Sequence, residues 1–278
     1  MHRTTAFAAA RAAAVRRGAS LLAGALLVLG LAAPHARAEE PHSLTPFSAA
    51  AGAVPPAPWH FSTLPNKTPT RFDVVSEDGR RVLKVEASDS YGLLAHRVQM
   101  PLNESTVLSW RWRVDQFVEG ADLHTRAGDD GAAKLCVFFD FPADRLPLIE
   151  RTRLAVARGV SGEDVPSEAL CYVWDGKEAK GQMLVNAFTN RMHMVVLESG
   201  PAARPGTWVG ERRNLLADYR RAFGGEAQGA TPDVVAVVVS ADADNTHGHG
   251  LAYFSDLSLV GSTALRAEAR PTGNGTAE

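Results

Sequence analysis

The chain has 278 residues, 45% hydrophobic and 22% charged, with 29 basic residues against 31 acidic ones. That length allows one large β domain or two small ones. The acidic balance argues against nucleic acid or an anionic membrane surface as partner, because both are read by basic surfaces.

Arg3, Arg11, Arg16 and Arg17 form a basic start, followed by an apolar run from Leu21 to Leu31 and a small-x-small site at Ala36-Arg37-Ala38. This is the layout of a secretory signal peptide over 1–38, and the apolar run is too short for a membrane anchor. Cleavage after Ala38 removes five arginines and leaves 24 basic against 31 acidic residues, a net charge of −7. No later run approaches the ~20 apolar residues that a membrane span requires. The expectation is a soluble protein of the periplasm or the extracellular space.

Residues 39–58 are rich in Ala, Pro and Ser without periodicity and read as a flexible N-terminal arm. At the other end, 262–278 is poor in apolar residues and reads as a disordered tail. The domain is expected between them, over 59–261. Arg71–Val75 and Val82–Ala87 flank Glu77-Asp78-Gly79, a hairpin signal in which glycine supplies positive φ. Further strand-like runs follow at 92–100, 107–114, 132–140, 169–174, 192–198, 234–241 and 250–260. Several alternate with period two, as half-buried strands do. Val234 to Val239 is apolar on both faces and belongs inside a sheet that is covered on both sides.

Two segments depart from this pattern. Asn214 to Phe223 places Leu215, Tyr219, Ala222 and Phe223 on one helical face, with Asn214 as N-cap and Gly224 as stop. The stretch 143–168 is charged, is too long for a turn, and has room for a helix around Ile149–Ala157. The fold class is therefore mostly β: a two-sheet, jelly-roll-like β-sandwich with one docked α-helix at 214–223 and a long insertion at 143–168. Cys136 and Cys171 both lie in apolar strand-like runs. A disulfide fits an oxidising compartment, and two buried thiols would also be content there.

In Val107–Val114, written VLSWRWRV, the side chains of Leu108, Trp110, Trp112 and Val114 point one way and those of Ser109, Arg111 and Arg113 the other. The tryptophans suit a core. The arginines then occupy the opposite face, solvated or paired. If this strand pairs with the next as a hairpin, the Asp129-Asp130 turn approaches one end of the arginine row. Lys134 would then share the face.

The succession WRWRV, GDD, a YVW strand, WVGERRNLLADYRRAFG, DADNT and AYFSDLSLV resembles the bacterial family catalogued as domain of unknown function 3047. The resemblance runs from about Trp59 to Val260. It implies the same fold class and export, and it assigns no reaction. The family's pattern commonly has an aromatic after GDD, an arginine at the position of Lys134, and a threonine where Ala243 stands; here the first two positions are Gly131 and Lys134.

The guanidiniums of Arg111 and Arg113 could bind carboxylate or sulfate bidentately, which suits acidic glycans; cross-strand ion pairs with Asp129 and Asp130 are the plainer account. A ligand face would add Lys134, Arg191, His193 and Trp208, the last lying between Gly206 and Gly210 and the best candidate for an exposed indole. Trp59 and Trp174 could also stack sugars, although core packing accounts for them. Asp242-x-Asp244-Asn245 offers alternate oxygen ligands of the kind calcium takes, but lacks the glycine and the distant glutamate of an EF-hand, and an Asx-rich turn explains it equally. His247 and His249 lie on a glycine-flanked loop without a specific metal spacing.

No nucleophile elbow, zincin helix or phosphate loop occurs in the sequence. The leading expectation is non-catalytic binding of an acidic or polar glycan or a cell-envelope component. A polysaccharide lyase or hydrolase is the alternative, with Arg111 or Arg113 neutralising a uronate and His193 or Tyr172 moving the proton. A structural or interaction protein of the envelope is the third.

Overall fold

The structure, a computed structural model, describes residues 44–161, 165–200, 206–225 and 231–261. The expected signal segment, its cleavage site and the tail lie outside the described residues. The strands are β1 (His60–Ser62), β2 (Arg71–Glu77), β3 (Arg80–Ser88), β4 (Tyr91–Pro101), β5 (Val107–Gln116), β6 (Gly131–Asp140), β7 (Glu168–Asp175), β8 (Met183–Val185), β9 (Met192–Ser199), β10 (Val209–Asn214), β11 (Asp233–Asp242) and β12 (His249–Val260). They form a seven-stranded sheet, β1-β4-β11-β6-β7-β9-β8, and a five-stranded sheet, β10-β5-β12-β3-β2. The pairing of β7 with β9 is parallel, and every other strand pair described is antiparallel. The chain changes sheet after β1, β3, β4, β5, β9, β10 and β11, so the fold is a jelly-roll-like β-sandwich.

Each of the nine strand runs legible in the sequence is a strand here. The β2–β3 hairpin turns through Asp78 and Gly79, both at positive φ (50° and 76°). The three additional strands are short or highly charged: β1 and β8 have three residues each, and β10 reads VGERRN. None of them carries an apolar alternation.

The core lies between the sheets. Leu108, Trp110, Trp112 and Val114 of β5 are buried there, and the rings of Trp110 and Trp112 meet Tyr172 and Trp174 of β7 at 5.2 and 5.6 Å. Each large apolar side chain buried in this way stabilises the fold by about 1.5–3 kcal/mol. A second apolar layer covers the outward face of the seven-stranded sheet. It is built from Val238, Cys136, Cys171, Val173, Met194 and Val196, with Leu123 and Leu184 among its members. This explains why β11 is apolar on both faces: it lies between β4 and β6 with packing above and below. Cys136 and Cys171, opposite one another on β6 and β7, form a disulfide inside that outer layer.

Helix α2 (Leu215–Phe223) follows β10 directly, capped by Asn214, whose Oδ1 accepts from the Ala217 N–H at 2.9 Å. It buries Leu215, Leu216, Tyr219 and Phe223. The insertion holds α1 (Leu148–Ser161), which leaves Leu148, Ile149 and Val156 exposed. The arm is a correction. Leu44 and Phe47 are buried in the main core, and the Thr45 N–H donates to His96 Nε2 at 3.1 Å, so the described part of 39–58 docks rather than hanging free.

Candidate functional site

The arginine row lies on the outer face of the five-stranded sheet, as its alternation requires. Arg113 is clamped there. Its Nε and Nη2 donate to Asp115 at 2.7 and 2.9 Å, Nη1 donates to Glu77 at 3.4 Å, and the guanidinium lies 4.2 Å from the Tyr253 ring centroid. Burial opposes its charge, but Asp115 and Glu77 outweigh that and raise its pKa further. Trp208, half-buried, comes in beside the row. The guanidiniums of Arg111 and Arg113 lie 5.5 and 5.4 Å from its ring centroid, and Tyr253 meets it edge-on at 6.4 Å. Such cation–π contacts are worth about 0.5–1 kcal/mol each at exposed sites and more where water is excluded. Gly206, at φ 81°, brings the chain in by donating its N–H to the Val114 carbonyl at 2.9 Å.

The expected hairpin between this strand and the next does not form. β5 pairs with β10 and β12 in one sheet, while β6 pairs with β11 and β7 in the other. Asp129, Asp130 and Lys134 therefore belong to the other sheet and do not neutralise the arginines. The carboxylates that pair with Arg113 are Asp115, two residues along the same strand face, and Glu77 from β2. The period-two spacing of Arg113 and Asp115 was the sequence signal for the first.

Asp129 and Asp130 instead meet the run that begins at Asp242. Asp130 accepts from the N–H and side-chain amide of Asn245 at 3.2 and 3.0 Å, and from the N–H and hydroxyl of Thr246, both at 2.7 Å. Lys134 Nζ stands 2.9 Å from both carboxylate oxygens of Asp242 and 3.8 Å from Asp129, and the Gly131 N–H also donates to Asp242 at 2.8 Å. The Asn186 side chain donates to Asp129 at 2.6 Å. Burial opposes the charge on Lys134, yet Asp242 and Asp129 hold its pKa above the usual lysine value. Burial also raises Asp242 to about 6 against the pull of Lys134, and raises Tyr91 on neighbouring β4 to about 12. A Cβ on Gly131 would fall 2.8 Å from Lys134 Cε, so the lysine stem occupies the space a side chain at 131 would need.

The three oxygen-bearing residues considered for calcium do not converge. Asp242 is taken by Lys134, Asp244 pairs with Lys67, and Asn245 turns its amide donors to Asp130. Among the described residues no group of three or more His, Cys, Asp or Glu side chains is placed to hold a metal ion. His247 and His249 each face a carboxylate, Asp89 at 2.8 Å and Glu86 at 3.3 Å.

Arg191 and His193 lie elsewhere again, at the start of β9. Arg191 pairs with Glu168, which also accepts from the Tyr219 hydroxyl at 2.6 Å, and the His193 ring packs 4.6 Å from Phe223. With Glu150, Asn190 and Ile149 they line a cavity of about 470 Å³. Tyr172 is buried in the core, donating to Asp218 at 2.8 Å, and burial foremost, then Asp218, pushes its pKa well above 10. The residues proposed to act together in a lyase, Arg111 with His193 or Tyr172, are thus distributed over an outer face, a cavity at the other sheet and the core. Trp59 and Trp174 are core residues as well.

The sandwich, its two-faced seven-stranded sheet and its cross-linked GDD and DADNT loops define a β-sandwich protein with an aromatic–arginine platform on one sheet. The chain belongs to the family described as protein of unknown function DUF3047, whose pattern matches residues 57–258. No curated protein matches it in sequence. Similar solved structures include the family 11 carbohydrate-binding module of the cellulosomal cellulase Lic26A-Cel5E of Clostridium thermocellum, at 7% identity and a TM-score of 0.35 over 81% of this chain and 95% of that one. Another is the xyloglucanase domain of NopAA, a type three effector from Sinorhizobium fredii, in complex with cellobiose, at 8% identity and a TM-score of 0.39 over 72% and 92%. Likeness at this level bears on neither ligand nor activity.

Proposed function

We propose that the chain is an exported, non-catalytic binding protein that holds a polar or acidic glycan of the cell envelope on the outer face of its five-stranded sheet. The observation that carries this reading is Trp208: among the five tryptophans it is the one left half-exposed, and it stands beside two guanidiniums and Tyr253. An indole offers a flat apolar surface to sugar C–H groups, while guanidinium groups direct bidentate hydrogen bonds at carboxylates and sulfates. Arg113 is held rigid by Asp115 and Glu77, so little side-chain freedom is lost when a ligand arrives. The separation of Tyr172 and His193 from this face speaks for binding over the lyase arrangement that would pair them with Arg111.

Affinity electrophoresis through polygalacturonate and through neutral dextran tests the proposal. Retardation by polygalacturonate is expected, with a loss of at least about tenfold in affinity for Trp208→Ala and Arg111→Ala. Equal mobility of the wild type and both variants in the two gels would overturn it.

A further inference from the structure

We infer that Glu198 of β9 and Glu211 of β10 form a proton-dependent tie between the two sheets, and that this tie positions Trp208. Its link to ligand binding rests on the reading of Trp208 as a platform. The tie itself rests on the following geometry.

Glu211 stands opposite Trp110 on β5, and Glu198 stands opposite Trp174 on β7. Glu211 therefore shares the inward face of its sheet with a core tryptophan. At Glu198 the register of β9 against β7 shifts by one residue, which brings this carboxyl to the same side as the preceding core residue Leu197, and the two carboxyls meet across the gap. One oxygen of Glu211, Oε1, is buried without a hydrogen-bond partner among the described residues. The charged groups around the pair are few. Lys180 reaches Glu198 at 2.5 Å from a largely solvated position. Arg213, the other cation on the inward face of β10, is committed to Asp218 of α2 at 2.6 and 2.8 Å, and Asp218 also accepts from the Tyr172 hydroxyl. Two carboxylates thus share one available cation. The arrangement is balanced when Glu211 carries a proton that it can donate to Glu198. Burial foremost, and then the Glu198 charge, raise Glu211 from the ordinary 4.5 to about 7.

β10 is an edge strand whose one neighbour in its sheet is β5. A bond from Glu211 to β9 is a second restraint on that strand, acting across the sandwich three residues beyond Trp208. When the proton leaves, two like charges face each other in a partly desolvated seam, and the edge strand loses its hold on the opposite sheet.

The four other tryptophans are buried, so collisional quenching by acrylamide reports chiefly on Trp208. In the wild-type protein, quenching is expected to rise as pH increases through about 7. In Glu211→Gln, which keeps the shape and cannot ionise, the curve should be flat. In Glu198→Gln the rise should move to lower pH, because the like charge is gone. A pH-independent wild-type curve, or the same rise in Glu211→Gln, would overturn the inference. The readout needs no ligand. If the quenching behaves as expected and polygalacturonate still fails to bind, the platform reading fails and the tie stands.

Discussion

Thr246 donates to Asp130 twice, from its backbone N–H and from its hydroxyl, each at 2.7 Å, across 116 residues of chain. With Asn245 supplying two more donors, one buried carboxylate gathers the end of one loop onto the end of another. Charge-assisted bonds of this kind are about twice as strong as neutral ones, and their loss leaves several donors stranded. Asp130→Ala should cost on the order of 3 kcal/mol in urea unfolding. Thr246→Val should cost about 1–2 kcal/mol, and the double variant less than the sum of the two. Additive losses would show that the bonds are not energetically coupled.

Lys134→Met removes the only cation within salt-bridge reach of Asp242 among the described residues and leaves a buried carboxylate unmatched. The expected loss is about 3–5 kcal/mol at neutral pH. Asp242 already sits at about 6, above its ordinary 3.8, and without the lysine it rises further. An acid raised in the folded state holds its proton more tightly there than when unfolded, so the penalty should shrink as pH falls from the variant's raised value to about 6, where both proteins bind the proton. A loss that stays constant down to about pH 5 would count against a charged Asp242 as its source.

The same sign governs Glu211. Its folded value of about 7 lies above the ordinary 4.5, so the folded protein binds the extra proton between those limits. Stability contributed by this group should therefore fall as pH climbs from about 4.5 to about 7. After solvent screening the change is about 2 kcal/mol. Glu211→Gln should flatten that part of a stability-against-pH curve, measured by denaturant midpoint at several pH values.

The Cys136–Cys171 disulfide closes a span of 35 residues that includes α1. Replacing both cysteines by alanine should cost about 3–4 kcal/mol, mostly through the freedom it returns to the unfolded chain. Trp208 lies in another part of the molecule, so acrylamide quenching of the folded variant should match the wild type. A changed quenching curve would mean that the outer layer of the seven-stranded sheet supports the platform too.

Local periodicity carried much of this structure. VLSWRWRV shows which way the tryptophans point, the valines of β11 show a strand packed on both faces, and Asn214 with Gly224 brackets α2 almost to the residue. What periodicity does not contain is which strand lies beside which. Arg113 and Lys134 both sit on polar strand faces, and alternation alone cannot separate a face that looks into solvent from one that looks into a second apolar layer. The partnership of Asp130 with Thr246 is likewise invisible until β6 and β11 are known to be neighbours. Tyr253, Glu77 and Glu211 were passed over for the same reason: each becomes significant through a residue on a strand distant in sequence.

The placement of β11 and β12 also bears on the order of events as the chain is made. These two strands, the last of the described residues, do not finish the edges of their sheets. They fill interior places, β11 between β4 and β6, and β12 between β5 and β3. Until residues 233–260 have been synthesised, four strands made earlier each lack a neighbour and expose unpaired backbone to any other strand they meet. Neither sheet can close gradually from the N-terminus, so folding of this sandwich must wait until residues 233–260 have been made. A chain cut short before Asp233 would be more prone to aggregate than a merely shortened domain.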